Sequence, residues 1–154
     1  MFKRQMDKRS EPVRRIVALG ESTTLGACAS TREKCWVNLV AAWLQQFQGV
    51  PIELVNQGIG SNVLTPECPS YEHSRKPSGL ERLDREVLDL DPDLILLPYG
   101  LNDSRGGTPV EVFRRAYQTL IDRIRARSDA LIVMLNTFYM HESIYSFPHW
   151  DQSD

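Results

Sequence analysis

Three short stretches of this sequence together supply serines, glycines and side-chain amides. They are Gly20-Glu21-Ser22-Thr23-Thr24-Leu25-Gly26, Asn56-Gln57-Gly58-Ile59-Gly60-Ser61-Asn62 and Tyr99-Gly100-Leu101-Asn102-Asp103-Ser104, each preceded by an apolar run. A serine in a tight, glycine-flanked turn can be held exposed for attack on a carbonyl carbon. The tetrahedral intermediate then needs donors aimed at its oxygen. The backbone N–H groups of Ser22 and of the second stretch, with the Asn102 side-chain amide, are of the right type. Removing one such donor typically costs about 10²–10³ in rate. Acyl transfer is the chemistry these groups suit. Each also has an ordinary structural use, since serine commonly caps helices and Asn-Asp commonly makes turns. The case rests on all three together.

The elements that must position them alternate between strand and helix. Arg15-Ile16-Val17-Ala18-Leu19 reads as a buried strand ending at Gly20. Glu33 to Gln48 predicts a helix with Trp36, Leu39, Val40, Trp43, Leu44 and Phe47 on one inward face, opened by a Ser30/Glu33 capping box and closed by Gly49. Pro51 to Asn56 predicts a second strand, and residues 57–77 a long aperiodic loop of the functional or disordered kind. Ser78 and Glu81 form another capping box before a helix with Leu80, Leu83, Val87 and Leu88 inward. Leu94 to Leu97 is apolar enough for a strand covered on both faces. Thr108-Pro109-Val110-Glu111 predicts a third capping box, with proline at the first helical position. Phe113, Ala116, Tyr117, Leu120, Ile121 and Ile124 continue that helix inward, and Ala130 to Leu135 reads as a fourth buried strand. The order β-α-β-loop-α-β-α-β predicts an α/β domain with a parallel sheet and helices on both faces. Such sheets bind ligands at the C-terminal strand ends, where all three stretches would lie.

The three stretches resemble the sequence blocks of the SGNH (GDSL-like) hydrolase family. Ile16 to Gly26 is similar to its first block, Asn56 to Asn62 to its second, and Gly100-Leu101-Asn102-Asp103 to the G-x-N-D of its third; the likeness runs from residue 13 to about 150. It implies a flavodoxin-like three-layer α/β/α fold and a serine esterase or deacylase acting on a small acyl, such as acetyl, ester through an acyl-serine intermediate. It further implies Ser22 as nucleophile, Asn102 as oxyanion donor and the Ser61 backbone N–H as a further donor, with Gly60 the fallback. Ser61 stands where the family has glycine, a departure that matters if the position needs φ > 0. Glu21 replaces the family's aspartate but keeps a carboxylate, and Asp103 is expected to fix its loop. The fourth block, D-x-x-H, is missing: Ser70, Phe138 and Ser146 stand three residues before His73, His141 and His149. The expectation is therefore residues 1–12 as a basic, disordered N-terminus. Residues 13–154 are then a hydrolase-like domain truncated before that block, without its last strand and helix. Without a base a serine hydroxyl is a poor nucleophile, and His141 is the one substitute in view. Tyr71, His73 and Arg75 are candidates for shaping a substrate pocket.

The bulk composition narrows the other classes. A formal net charge of -2 favours neither nucleic acid nor an anionic membrane as partner, and no apolar run approaches spanning length. The basic start lacks the apolar segment of a signal peptide, so a cytoplasmic protein is expected. Three cysteines without C-x-x-C spacing point to reduced thiols rather than a disulfide framework or a zinc site, and no cofactor is called for. Expected partners are a small-molecule ester and a second copy of the chain, paired through an exposed sheet edge. One alternative is a catalytically incomplete fragment of the same fold. A weaker one is a flavodoxin-like phosphate- or nucleotide-binding domain, but Gly20 to Gly26 lacks the P-loop lysine and Gly58 to Val63 lacks the third glycine of G-x-G-x-x-G.

Overall fold

Four strands, β1 Arg15–Gly20, β2 Glu53–Gly58, β3 Leu94–Leu97 and β4 Leu131–Met134, form one sheet in the order β2-β1-β3-β4, every pairing parallel. The computed structural model describes residues 11–27 and 29–137. The basic start through Ser10, Cys28, His141 and His149 lie outside the described residues, and with them most of the expected disordered start and the substitute base.

Alternation along the central strands builds two cores. Val17, Leu19, Ile95 and Leu97 face one side, where they pack with Leu83 of α4 (Gly79–Glu86) and with Ala116, Tyr117, Leu120 and Ile124 of α6 (Val110–Arg127). Ile16, Ala18, Leu94 and Leu96 face the other, against Val37 and Ala41 of α2 (Trp36–Gln48). The three-layer α/β/α arrangement with a parallel sheet is therefore present. Short helices α1 (Ser22–Leu25), α3 (Tyr71–Ser74) and α5 (Leu101–Arg105) sit in the loops. The order in which strands are added reverses at β1, which has β2 on one side and β3 on the other. The switch point thus lies between the ends of β1 and β3.

Several elements depart from the sequence expectations. β2 starts two residues later than expected and includes Gln57 and Gly58, because it extends in register beside β1 as far as the Gly20–Gly58 pair. The Ser30/Glu33 box does not form: a 3₁₀ turn, Arg32–Lys34, intervenes, and α2 starts after Cys35 without a side-chain cap. The predicted inward face of α2 is buried only in part: Trp36, Val40 and Leu44 pack against the core beside Val37 and Ala41. Val37 and Ala41 meet the sheet, whereas Leu39 (40% exposed), Trp43 (67%) and Phe47 (89%) point away. Pro109 occupies the N-cap of α6 rather than its first turn, so Thr108 lies one residue too early to cap; its buried Oγ1 has no partner, and Glu111 pairs with Arg114 instead. β4 is only half covered, with Val133 and Met134 exposed, because β3 is its one neighbour among the described strands. The Ser78/Glu81 box does form. Residues 57–77 contain α3 and the fully buried Val63 and Leu64, so this segment is packed rather than loose.

Candidate active site

Each of the three sequence stretches leaves the C-terminal end of its strand, and each is tied to the other two. The first and second meet through backbone contact. Ile59 N–H donates to Gly20 O at 3.1 Å and Asn56 Nδ2 donates to Thr24 O at 2.7 Å. Gly58 is required there, since a Cβ at that position would overlap the backbone of Thr24 and Leu25. The turn carrying Ser22 thus lies directly on the end of β2.

The first and third are joined by Glu21. Its buried carboxylate accepts the N–H groups of Gly100, Leu101 and Asn102 at 2.9, 3.0 and 3.0 Å. The longer side chain that replaces aspartate therefore spans the switch point and holds the chain entering α5. Burial pushes the Glu21 carboxyl up to about 8, and the neighbouring Asp103 adds to the rise against the three N–H donors. The second and third are joined twice. Asn102 Nδ2 donates to Asn62 O at 2.9 Å, and the Asp103 carboxylate accepts Leu64 N–H at 3.0–3.1 Å. Burial raises the Asp103 carboxyl to about 7. Asp103 thus fixes its loop, as its position suggested.

Ser22 is half-exposed at the first position of α1, and Ser61 is half-exposed after β2 with φ at +54°. The position occupied by Ser61 does take the left-handed conformation that favours glycine. Among the described residues, the N–H groups of Ser22 and Ser61 have no acceptor. Asn102 is buried, with one amide hydrogen committed to Asn62 and a second still available. Of the pocket candidates, Tyr71 and Arg75 line an open hollow of about 200 Å³ with Glu72, Lys76 and Pro77. His73 is exposed and does not line it.

The arrangement also contains residues that the sequence reading missed. Arg82 is buried. Its guanidinium donates to Asn62 Oδ1 at 2.7 Å, to Tyr99 Oη at 3.1 Å and to Gln57 O, and Nε bonds Glu86 at 2.8 Å. Tyr99 Oη donates to Asn62 Oδ1 at 2.6 Å, and Asn62 Nδ2 donates to Pro77 O at 2.8 Å. Asn62 is therefore the hub of the second loop, with its side-chain oxygen and nitrogen and its backbone carbonyl all bonded. A charged residue within the apolar periodicity of α4 was the available signal.

Residues 18–153 match the model of the GDSL-like Lipase/Acylhydrolase family. The chain belongs to that family. Solved structures with the same fold include a two-domain esterase (CEX) active on acetylated mannans, 22% identical, with a TM-score of 0.64 over 80% of this chain and 30% of that one. Another is the lipase/acylhydrolase from Enterococcus faecalis, 24% identical, TM-score 0.60, covering 82% of this chain and 59% of that one. AlinE4, an SGNH-hydrolase family esterase, is 19% identical, TM-score 0.63, again over 82% and 59%. This chain thus spans about 60% of the length of the last two family members and less than a third of the first. No curated protein matches the sequence. At these identities the structural likeness speaks for the fold, while membership of the family rests on the sequence match.

Proposed function

We propose that the chain is a serine ester hydrolase in which Ser22 is the nucleophile. The Ser22 hydroxyl gives its proton to a general base as Oγ bonds to the acyl carbon, and the carbonyl π pair moves onto oxygen. Collapse breaks the C–O bond to the alcohol, which leaves with that proton, and water then splits the acyl-serine into the free acid and the Ser22 hydroxyl. The Ser22 and Ser61 N–H groups and the Asn102 amide stabilise the oxyanion. One observation carries this reading: the three loops are bound to one another pairwise at the β1–β3 switch point, around a half-exposed serine and N–H groups without acceptors. The relative active on acetylated mannans makes a small acetyl ester of a carbohydrate alcohol the first substrate class to test.

A second reading, a family fold that lacks its general base, is favoured by one observation: no histidine of the sequence has an aspartate three residues before it. Hydrolysis of 4-nitrophenyl acetate by the wild type, Ser22→Ala, Asn102→Ala and His141→Ala separates the two. The proposed enzyme loses nearly all of its rate in Ser22→Ala and about 10²–10³-fold in Asn102→Ala. Equal rates for wild type and Ser22→Ala would refute the nucleophile role. A Ser22-dependent rate that His141→Ala removes identifies the base. A wild-type rate reduced to the weak catalysis of an oxyanion hole alone, about 10³–10⁴-fold over water, favours the second reading.

A further inference from the structure

One cation beside the second loop has had no part in the chemistry so far. Lys76 Nζ donates to Gly60 O at 2.7 Å. That carbonyl belongs to the same peptide group as the Ser61 N–H. Amide resonance links the two ends, so an ammonium on the oxygen draws charge from the nitrogen and makes its hydrogen a stronger donor. Bonds with an ionised partner are also the stronger class.

We propose that Lys76 is a positioning residue for the oxyanion hole, fixing and polarising the Gly60–Ser61 peptide so that Ser61 N–H points at and binds the developing negative charge. The inference rests on the assignment of Ser61 as an oxyanion donor. Two features support it. Ser61 is held at a φ of +54°, a conformation serine keeps only when its surroundings impose it, and the Lys76 bond acts on the peptide entering that residue. The segment presenting Lys76 is itself anchored: Ser74 Oγ bonds Lys76 N and O at 3.3 and 3.2 Å, and Asn62 Nδ2 donates to Pro77 O at 2.8 Å. Lys76 is therefore held between two fixed points beside the peptide it bonds.

An oxyanion donor is worth about 10²–10³ in rate, and polarisation strengthens a hydrogen bond by about 10–30%. Taken as that share of the exponent, removing the ammonium costs about two- to tenfold in kcat. The test compares the full-length wild type with Lys76→Arg, Lys76→Gln and Lys76→Met on 4-nitrophenyl acetate, with Ser22→Ala as blank. Circular dichroism confirms folding, and the Ser61 amide shift is followed by NMR. Lys76→Met is expected to lower kcat two- to tenfold with KM unchanged and to move the Ser61 proton upfield; Lys76→Gln falls between, and Lys76→Arg restores both. A Ser22-dependent wild-type rate that Lys76→Met leaves unaltered overturns this proposal alone. So does an equal loss in the Arg and Met variants, which marks a steric clasp. A wild type no faster than Ser22→Ala overturns the assignment of the site and this proposal with it.

Discussion

Glu21 places three backbone donors on two carboxylate oxygens inside the protein, and the consequence is a pH dependence of stability. Burial lifts its carboxyl from 4.5 to about 8, and that of Asp103 from 3.8 to about 7. Folded pKa values above the unfolded ones mean that the native chain binds more protons. The stability they contribute is complete below about pH 4 and is lost as pH rises toward 8. In Glu21→Gln, Oε1 can still accept from Gly100 and Leu101, but the amide NH₂ faces the Asn102 N–H. Urea unfolding at pH 5 should show a loss of about 1–3 kcal/mol, the cost of an unpaired buried donor, and the gap to wild type should narrow by pH 8. A gap that widens with pH contradicts the assignment. Ser61→Gly removes a left-handed serine and should raise stability by about 0.5–1 kcal/mol in the same assay; a loss would show that the Ser61 side chain stabilises the loop. At this scale the turns that carry Ser22, Ser61 and Asn102 were legible, because glycines and amides mark tight turns locally. Lys76 was not, since it acts on a carbonyl 16 residues away and leaves no local pattern, and Arg82, acting on a carbonyl 25 residues away, left only a charge among the apolar positions of α4.

The elements were legible where their signals were short-range. Buried strands β1 and β3 and the inward faces of α4 and α6 follow directly from apolar spacing, and Ser78 caps α4 as its sequence implies. The three capping-box patterns look alike in sequence, yet one forms. What separates them is the geometry just before the helix: a 3₁₀ turn displaces Ser30, and Pro109 takes the cap position from Thr108. This gives a paired prediction. Ser78→Ala should cost about 1 kcal/mol, as loss of a true cap does. Thr108→Val should be neutral or stabilising, because it replaces a buried hydroxyl that has no partner. Thermal unfolding of the two variants checks it, and equal losses would mean that Thr108 is a cap after all. The face of α2 was read only in part, for a different reason. Periodicity reports an amphipathic stripe but not which part of it meets the sheet, and here Val37 and Ala41 take the buried positions with Trp36, Val40 and Leu44 beside them.

For the whole molecule, two apolar surfaces face outward among the described residues: Leu39, Trp43 and Phe47 along α2, and Val133 and Met134 on β4. No described helix is long and apolar enough to cross a membrane. Exposed strand edges template pairing between chains, and apolar patches mark association sites. Light scattering of residues 1–154 is expected to show self-association, reduced by Met134→Lys if the β4 edge carries it and by Trp43→Lys if α2 does. A monomer at high concentration would exclude both. These four strands bring the three loops together, and the account stands or falls on what that meeting point does. The most direct measurement is exposure of the chain to a fluorophosphonate ester, followed by mass spectrometry of the intact protein and its peptides. The account predicts one adduct per chain, on the peptide containing Ser22, and none in Ser22→Ala. An adduct on another residue, or none after prolonged exposure, would contradict Ser22 as the nucleophile.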